Sequence, residues 1–283
     1  LIHELSEKSR AYLVSFGERL STRLLAEVLC FKNFPALQLD SVFIKTRGKD
    51  FWEDEIDWEK TKKAIQSDLK PIIKSEKIPI ISGFFGTNKE GAIALLGRGG
   101  SDFSGAIVSV GLEATQLEIW TDVDGFLSAD PRIVKKAQII DEIGFKEVSE
   151  LCFFGAKVLH PKTIRPVIEK GGSVWIKNTF SPEKKGTKIA QKVTPNPHPV
   201  LSISSKEVLL ISLDIFSTQS NKMLIFDRLF SIAHQNNIFI DMIASSEAEI
   251  SFCIEAKYAG EKSFFKALNE LASIEVLEKR SVI

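Results

Sequence analysis

Three glycines set around one arginine and followed by a serine and an aspartate, Gly97-Arg98-Gly99-Gly100-Ser101-Asp102, constrain this chain more than any other feature. Glycine has no Cβ, so a turn built from it leaves backbone N–H groups unobstructed and free to converge on an anion. If the apolar run after Asp102 is a helix, the positive end of its dipole falls at the same spot. The loop reads as an anion cradle. Beyond it, Leu117 to Trp120 has the character of a short strand and Asp122 to Gly125 is turn chemistry. Asp130-Pro131-Arg132 then sets a rigid proline beside an arginine. An acidic residue at the carboxyl end of a strand beside a cradle is where an α/β sheet places a nucleotide or metal site. The two halves point to phosphoryl chemistry, and the absence of GxxxxGK[ST] argues against a P-loop enzyme.

With 283 residues, 44% of them hydrophobic, the chain is long enough for two domains with sizeable cores. Lysine plus arginine and aspartate plus glutamate number 37 each, so no global charge recruits nucleic acid or a membrane, and small molecules are the expected partners. Cys30, Cys152 and Cys253 are widely separated and form no CxxC pair, which reads as core filler in a reducing compartment. No signal peptide and no apolar run long enough to span a bilayer stands out, so a soluble, cytoplasmic protein is expected.

Leu20, Leu24, Leu25, Val28 and Leu29 recur at helical spacing, and Ser15-Phe16-Gly17-Glu18 just before them reads as a helix start, with Ser15 as cap and Glu18 in the first turn. Ala36 to Ile44 predicts a strand, Ile56 to Lys74 a helical stretch, and Ile78 to Ser82 a buried strand of the parallel type. Gly83 to Gly91 is a glycine-punctuated excursion of hairpin character. Strand alternating with helix is the α/β signature. Arg98 suits a substrate carboxylate, because a planar guanidinium binds one bidentately. Asp102 either caps the following helix or helps position Mg²⁺ and substrate. Val174 to Thr187 reads as an edge strand and polar turn, and three prolines between Gln191 and Pro199 mark a linker.

GRGGSD, WTDVDG, ADPR, FGAKVLHP (Phe154 to Pro161) and KNTF (Lys177 to Phe180) stand in an order and spacing that resembles the aspartate kinases. The resemblance implies an amino-acid-kinase-like three-layer α/β sandwich with a mainly parallel sheet. It also implies MgATP-dependent phosphorylation of the side-chain carboxylate of L-aspartate. It gives Glu18 the substrate's ammonium group, sets Gly99, Gly100 and Ser101 with Arg98 around the substrate, and makes Arg98 and Asp102 the catalytic pair. Thr121 and Asp122 resemble the nucleotide-contacting residues, Leu127 stands where relatives place a tyrosine, Arg132 lies near the phosphates, and Lys157 is a point-charge phosphate ligand. No protein metal ligand is implied beyond the Mg²⁺ that travels with ATP. The family's threonines ahead of the cradle are replaced by Ala94, Leu95 and Leu96, and its amino-terminal lysine-and-glycine phosphate motif is absent, so the chain reads as a fragment. His160 reads as structural, since an ionised carboxylate nucleophile needs no base. A non-catalytic amino-acid-binding chain is the alternative.

The expected organisation is a kinase domain over 1–190, a linker over 191–205 and a second domain over 206–283. Six elements, Glu207 to Phe216, Met223 to Gln235, Ile238 to Ala244, Glu249 to Ala256, Lys262 to Leu271 and Ile274 to Val282, run βαββαβ, which is ferredoxin-like. That order resembles an ACT domain, which implies edge-to-edge homodimers and an amino-acid effector, with lysine foremost. Asp241, Ser246 and Glu247 match effector-holding positions, or are a polar strand end with its turn. The loop Ser217 to Lys222 lacks the usual glycine.

Overall fold

A computed structural model describes residues 5–156, 158–193, 201–216 and 221–282. The chain divides into two compact units, Leu1–Ser202 and Ile203–Ile283. Lys157, residues 194–200 of the expected linker and residues 217–220 of the loop before Lys222 lie outside the described residues.

The first unit opens with helix α1 (Glu7–Phe31), then β1 (Ala36–Asp40), α2 (Trp58–Asp68), α3 (Lys70–Lys74), β2 (Ile78–Ser82), β3 (Phe85–Thr87) and β4 (Ile93–Leu95). There follow α4 (Gly100–Gly111), β5 (Gln116–Thr121), β6 (Glu142–Gly144), α5 (Phe145–Phe153), α6 (Pro161–Glu169), β7 (Ser173–Asn178) and β8 (Thr187–Ala190). The unit is mixed α/β. Strands β1 and β2 pair in parallel, as do β5 with β7 and β6 with β8, while β3–β4 is a hairpin and β7–β8 is antiparallel.

Helix α1 starts two turns earlier than the sequence suggests. Ser6 is its N-cap, with its side chain accepting from the Ser9 N–H. Ser15 is instead buried mid-helix, its Oγ donating to the Tyr12 carbonyl at 2.7 Å, so Glu18 projects from the middle of the helix. The face that α1 buries is made of small residues, Ala11, Ser15 and Ala26, which lets its axis approach the strands closely. The leucines that give the helical spacing point the other way, Leu20 being 62% exposed and Leu24 67%.

Leu39 of β1 and Ile81 of β2 pack into a core with Ile65, Leu69, Leu96 and Ile107, drawn from α2, α4 and their flanks. Ala94 and Leu95 are fully buried, so the residues standing in place of the family's threonines serve packing. A second core joins Ile119, Val174, Ile176 and Ile189 of the β5-β7-β8-β6 sheet to Ala106 of α4 and Ile164, Val167 and Ile168 of α6. Each fully buried isoleucine there contributes roughly 1.5–3 kcal/mol of transfer free energy. Strand β7 is interior rather than at the edge, because Thr187–Ala190 folds back onto it as β8. Cys152 is partly buried, and burial pushes its thiol up to about 11, whereas Cys30 is exposed rather than core filler.

The second unit runs β9 (Lys206–Asp214), α7 (Lys222–Gln235), β10 (Met242–Ser245), β11 (Glu249–Glu255), α8 (Lys262–Leu271) and β12 (Ser273–Val282). Its antiparallel sheet has the order β10-β11-β9-β12, the ferredoxin-like arrangement. Leu209, Ile211, Leu213, Phe252 and Ile254 pack against Ile225 and Leu229 of α7 and Phe264 and Leu268 of α8.

Candidate active site

Helix α4 begins at the cradle. Gly99 is its N-cap in the left-handed region, φ 71°, and a Cβ there would stand 2.9 Å from Thr163 Cγ2, so both conformation and space require glycine. The Gly100 N–H is taken by the Gly97 carbonyl at 3.1 Å and the Phe103 N–H by Gly99. The N–H groups of Ser101 and Asp102 between them have no acceptor among the described residues, which leaves two donors and the helix dipole facing one spot. Arg98, exposed beside them, has no ion-pair partner among the described residues. Asp102 is half-buried, and burial holds its carboxyl above the usual carboxylate range.

The surrounding elements bring further side chains to this helix end. Ser101 Oγ donates to Glu18 Oε1 of α1 at 3.5 Å, across 83 residues of sequence. Gly83, directly after β2, lies against the Ser101 backbone, and the Phe84 N–H donates to Ser104 Oγ at 2.9 Å. Glu53, in the left-handed region at φ 50°, packs on Gly97. His160 neighbours Gly99, and burial first, then the charges of Lys162 and Arg98, push its imidazole below its ordinary range. The imidazole is thereby held towards its neutral form.

A second group of residues sits at the carboxyl ends of β5 and β7, where Thr121 pairs with Asn178. Strand β5 packs on α4 through Leu117, which lies against Gly105. Thr121 Oγ1 reaches Asp122 Oδ1 at 3.2 Å, and Asp124 is held by Asn178 at 2.6 Å and Lys184 at 2.8 Å. Lys184 and then Asn178 keep the Asp124 carboxyl low. Leu127 is partly buried and its carbonyl accepts from Ser202 Oγ at 2.7 Å. Arg132 is clamped within its own loop, Nη2 to Asp130 Oδ2 at 2.6 Å and Nε to Oδ1 at 3.0 Å, which leaves Nη1 for an outside anion. Among the described residues no group of three or more His, Cys, Asp or Glu is gathered as a protein-held metal requires. The phosphates of a nucleotide suit the cradle better than a bare ion does, since they match its N–H groups and the Arg98 guanidinium, and Mg²⁺ would arrive on those phosphates.

In the second unit Asp241 precedes β10, whereas Ser246 and Glu247 follow it. Five residues of extended chain separate them by about 16 Å, more than one small amino acid spans. Asp241 is nearly buried, 4% exposed at its side chain, with Lys206 Nζ 2.8 Å from Oδ2 and Glu255 sharing the same ammonium at 3.4 Å. Ser246 caps its own turn, accepting from the Glu249 N–H at 3.1 Å, and Glu247 is exposed. A single chain does not bring these three residues together.

Sequence reasoning passed over Arg19, Asp40, Ser82 and Glu53. Asp40 and Ser82 end parallel strands beside the cradle, which is a signal the general rule for α/β sheets could have caught. Arg19 and Glu53 depend on tertiary contacts that no local pattern announces.

Residues 3–178 match the amino acid kinase family. The chain belongs to that family. Within it, the chain is similar to aspartokinases: 34% identical to chloroplastic aspartokinase 1 of Arabidopsis thaliana over all of this chain and 52% of the relative. It is likewise 34% identical to lysine-sensitive aspartokinase 3 of Escherichia coli over 86% of this chain and 54% of that protein. The solved structure of Escherichia coli aspartokinase III with lysine and aspartate superposes with a TM-score of 0.84 at 30% identity, covering 98% of this chain and 62% of that one. The same enzyme with aspartate and ADP gives 0.78 at 30% identity, over 98% of this chain and 63% of that one. The chain thus spans about half the length of these curated relatives. No described helix is long and apolar enough to cross a membrane.

Proposed function

We propose that this chain carries aspartokinase activity, transferring the γ-phosphoryl group of MgATP to the side-chain carboxylate of L-aspartate to give 4-phospho-L-aspartate. The observation that carries the reading is the meeting of Glu18 and Ser101 at 3.5 Å beside Arg98 and two backbone N–H groups that have no partner among the described residues. An α-amino acid needs one anionic and one cationic partner held a fixed distance apart, and Glu18 with Arg98 are such a pair. Glu18 takes the ammonium group and Arg98 the α-carboxylate, which leaves the side-chain carboxylate as the nucleophile. That carboxylate is ionised near pH 7, so no base is required, and rate comes from positioning and charge neutralisation. MgATP, when bound, supplies the phosphoryl group and part of that neutralisation. The chain's own share is the N–H pair and dipole of α4, Arg132 at the strand ends, and Thr121, Asp122 and Leu127 around the nucleotide. Asp102, raised by burial, orients the groups on the cradle, and Lys157 adds a point charge.

For the second unit the reading is an ACT-type module over 206–283 that binds an amino-acid effector, with lysine foremost, and pairs with a second copy. Strand β10 is the exposed edge of its sheet, with Met242 48% and Ile243 41% exposed. Antiparallel pairing of two such edges about their midpoint would set Asp241 of one copy opposite Ser246 of the other, which removes the 16 Å separation within one chain, a distance of about five extended residues.

A hydroxamate assay tests the catalytic claim. With MgATP, L-aspartate is expected to give hydroxylamine-trappable acyl phosphate while L-glutamate and acetate give none. Equal trapping from all three, or from none, would contradict it.

A further inference from the structure

We propose that Arg19 is a positioning residue: pinned between Asp40 and three aromatic rings, it sets the rotation of α1 that aims Glu18 at Ser101. This rests on the reading of Glu18 as the ammonium-binding carboxylate.

Arg19 Nη2 lies 3.1 Å from Asp40 Oδ2, with side chains 19% and 34% exposed. Its guanidinium carbon stands 5.2 Å from the centre of Phe85, 5.3 Å from Tyr12 and 5.5 Å from Phe16, and its Nε is buried without a hydrogen-bond acceptor among the described residues. A guanidinium held by rings and one carboxylate is restricted in direction as well as place. Asp40 is itself fixed, its Oδ1 accepting from Gln38 Nε2 at 3.0 Å and from Ser82 Oγ at 3.0 Å. Ser82 ends β2, the next residue lies against Ser101, and the one after bonds Ser104. Arg19 thus ties α1 to the same strand end on which the first turn of α4 rests. Glu18 and Ser101 are carried by those two helices, and the tie closes the circuit between them.

Glu18 and Arg19 are neighbours on one rigid helix, so any rotation that Arg19 permits moves Glu18 through the same angle. Side chains stand about 5–6 Å from a helix axis, so a turn of about 10° displaces a carboxylate by about 1 Å. A displacement of that size at a substrate contact costs up to about 100-fold.

The test is a double-mutant cycle on the full chain, with Arg19→Met and Glu18→Gln, read by aspartate KM and kcat in the hydroxamate assay. Arg19→Met is expected to raise KM about tenfold, with kcat changed less than about threefold. In the Glu18→Gln background it is expected to add less than about twofold. Asp40→Asn should repeat the pattern, which covers the case that Arg19→Met fails to fold. Effects that multiply equally in both backgrounds, or a fall in kcat at unchanged KM, would overturn the proposal. Proximity is read independently by the nuclear Overhauser effect between the Glu18 and Ser101 side chains, expected in the wild type and lost in Arg19→Met or Asp40→Asn. Its persistence in the variants overturns the role of Arg19, and so does its absence from the wild type. Its loss in the variants, with no aspartate turnover by the wild type, overturns the substrate reading and leaves Arg19 as the residue that positions Glu18.

Discussion

Arg98 and Arg132 are the two arginines assigned to the proposed site, and their surroundings give them different work. Arg98 is exposed and unpaired among the described residues, so it is free to grip a carboxylate with two parallel bonds. Arg98→Lys keeps the charge and loses the fork; kcat/KM for aspartate is expected to fall at least about 30-fold, about 2 kcal/mol, in steady-state assays. Arg132 is already committed to Asp130, and its side-chain and then backbone bonds hold the Asp130 carboxyl down at about 2, below the usual carboxylate range. A carboxyl lowered on folding contributes stability above its ordinary range and loses it as pH falls through about 2. The pair is exposed, so that contribution is small. A carbon NMR titration is expected to place the Asp130 midpoint near 2, and Arg132→Ala to return it to the ordinary range. Arg98, Asp102 and Arg132 could be singled out in the sequence because their roles follow from the loop that carries them. Arg19 and Glu53 could not, because the contacts that give them their place, Asp40 for Arg19 and Gly97 for Glu53, lie 21 and 44 residues away in sequence.

At the scale of elements, the start of α4 matters most. Gly99→Ala would add a methyl against Thr163 and hold a left-handed φ without glycine, so it is expected to cost roughly 1–3 kcal/mol in denaturant unfolding. It should also weaken nucleotide affinity, because the two free N–H groups would turn. The cradle, the strands around it and the ferredoxin-like order were legible because glycine punctuation and period-two alternation are local signals. The start of α1 was not. Ser15-Phe16-Gly17-Glu18 has the composition of a helix cap but lies mid-helix, because Ala11 and Ser15 bury against the strands and extend the helix to Ser6. The interior place of β7 was hidden for a similar reason, since it depends on β8 folding back.

For the whole molecule, the chain folds as two units, each with a core of its own. The second unit carries its own polar weak point, the ammonium of Lys206 held by nearly buried Asp241. Lys206→Met strands that carboxylate, so it is expected to destabilise the unit by about 3 kcal/mol, and Lys206→Met with Asp241→Asn to recover most of the loss. Chemical denaturation followed by a probe in residues 203–283 reads this. The effector assignment lay beyond reach of sequence, because Asp241, Ser246 and Glu247 are close in number yet lie at opposite ends of a strand. The central claim is that the cradle beside Glu18 binds L-aspartate. The most direct measurement is calorimetric titration of L-aspartate into the full chain, wild type and Arg98→Ala, with MgATP replaced by a non-hydrolysable analogue. Saturable binding by the wild type that weakens at least about 30-fold in the variant is the expected result, about 2 kcal/mol for the lost charge-assisted bonds. No binding by the wild type, or equal binding by both, would contradict it.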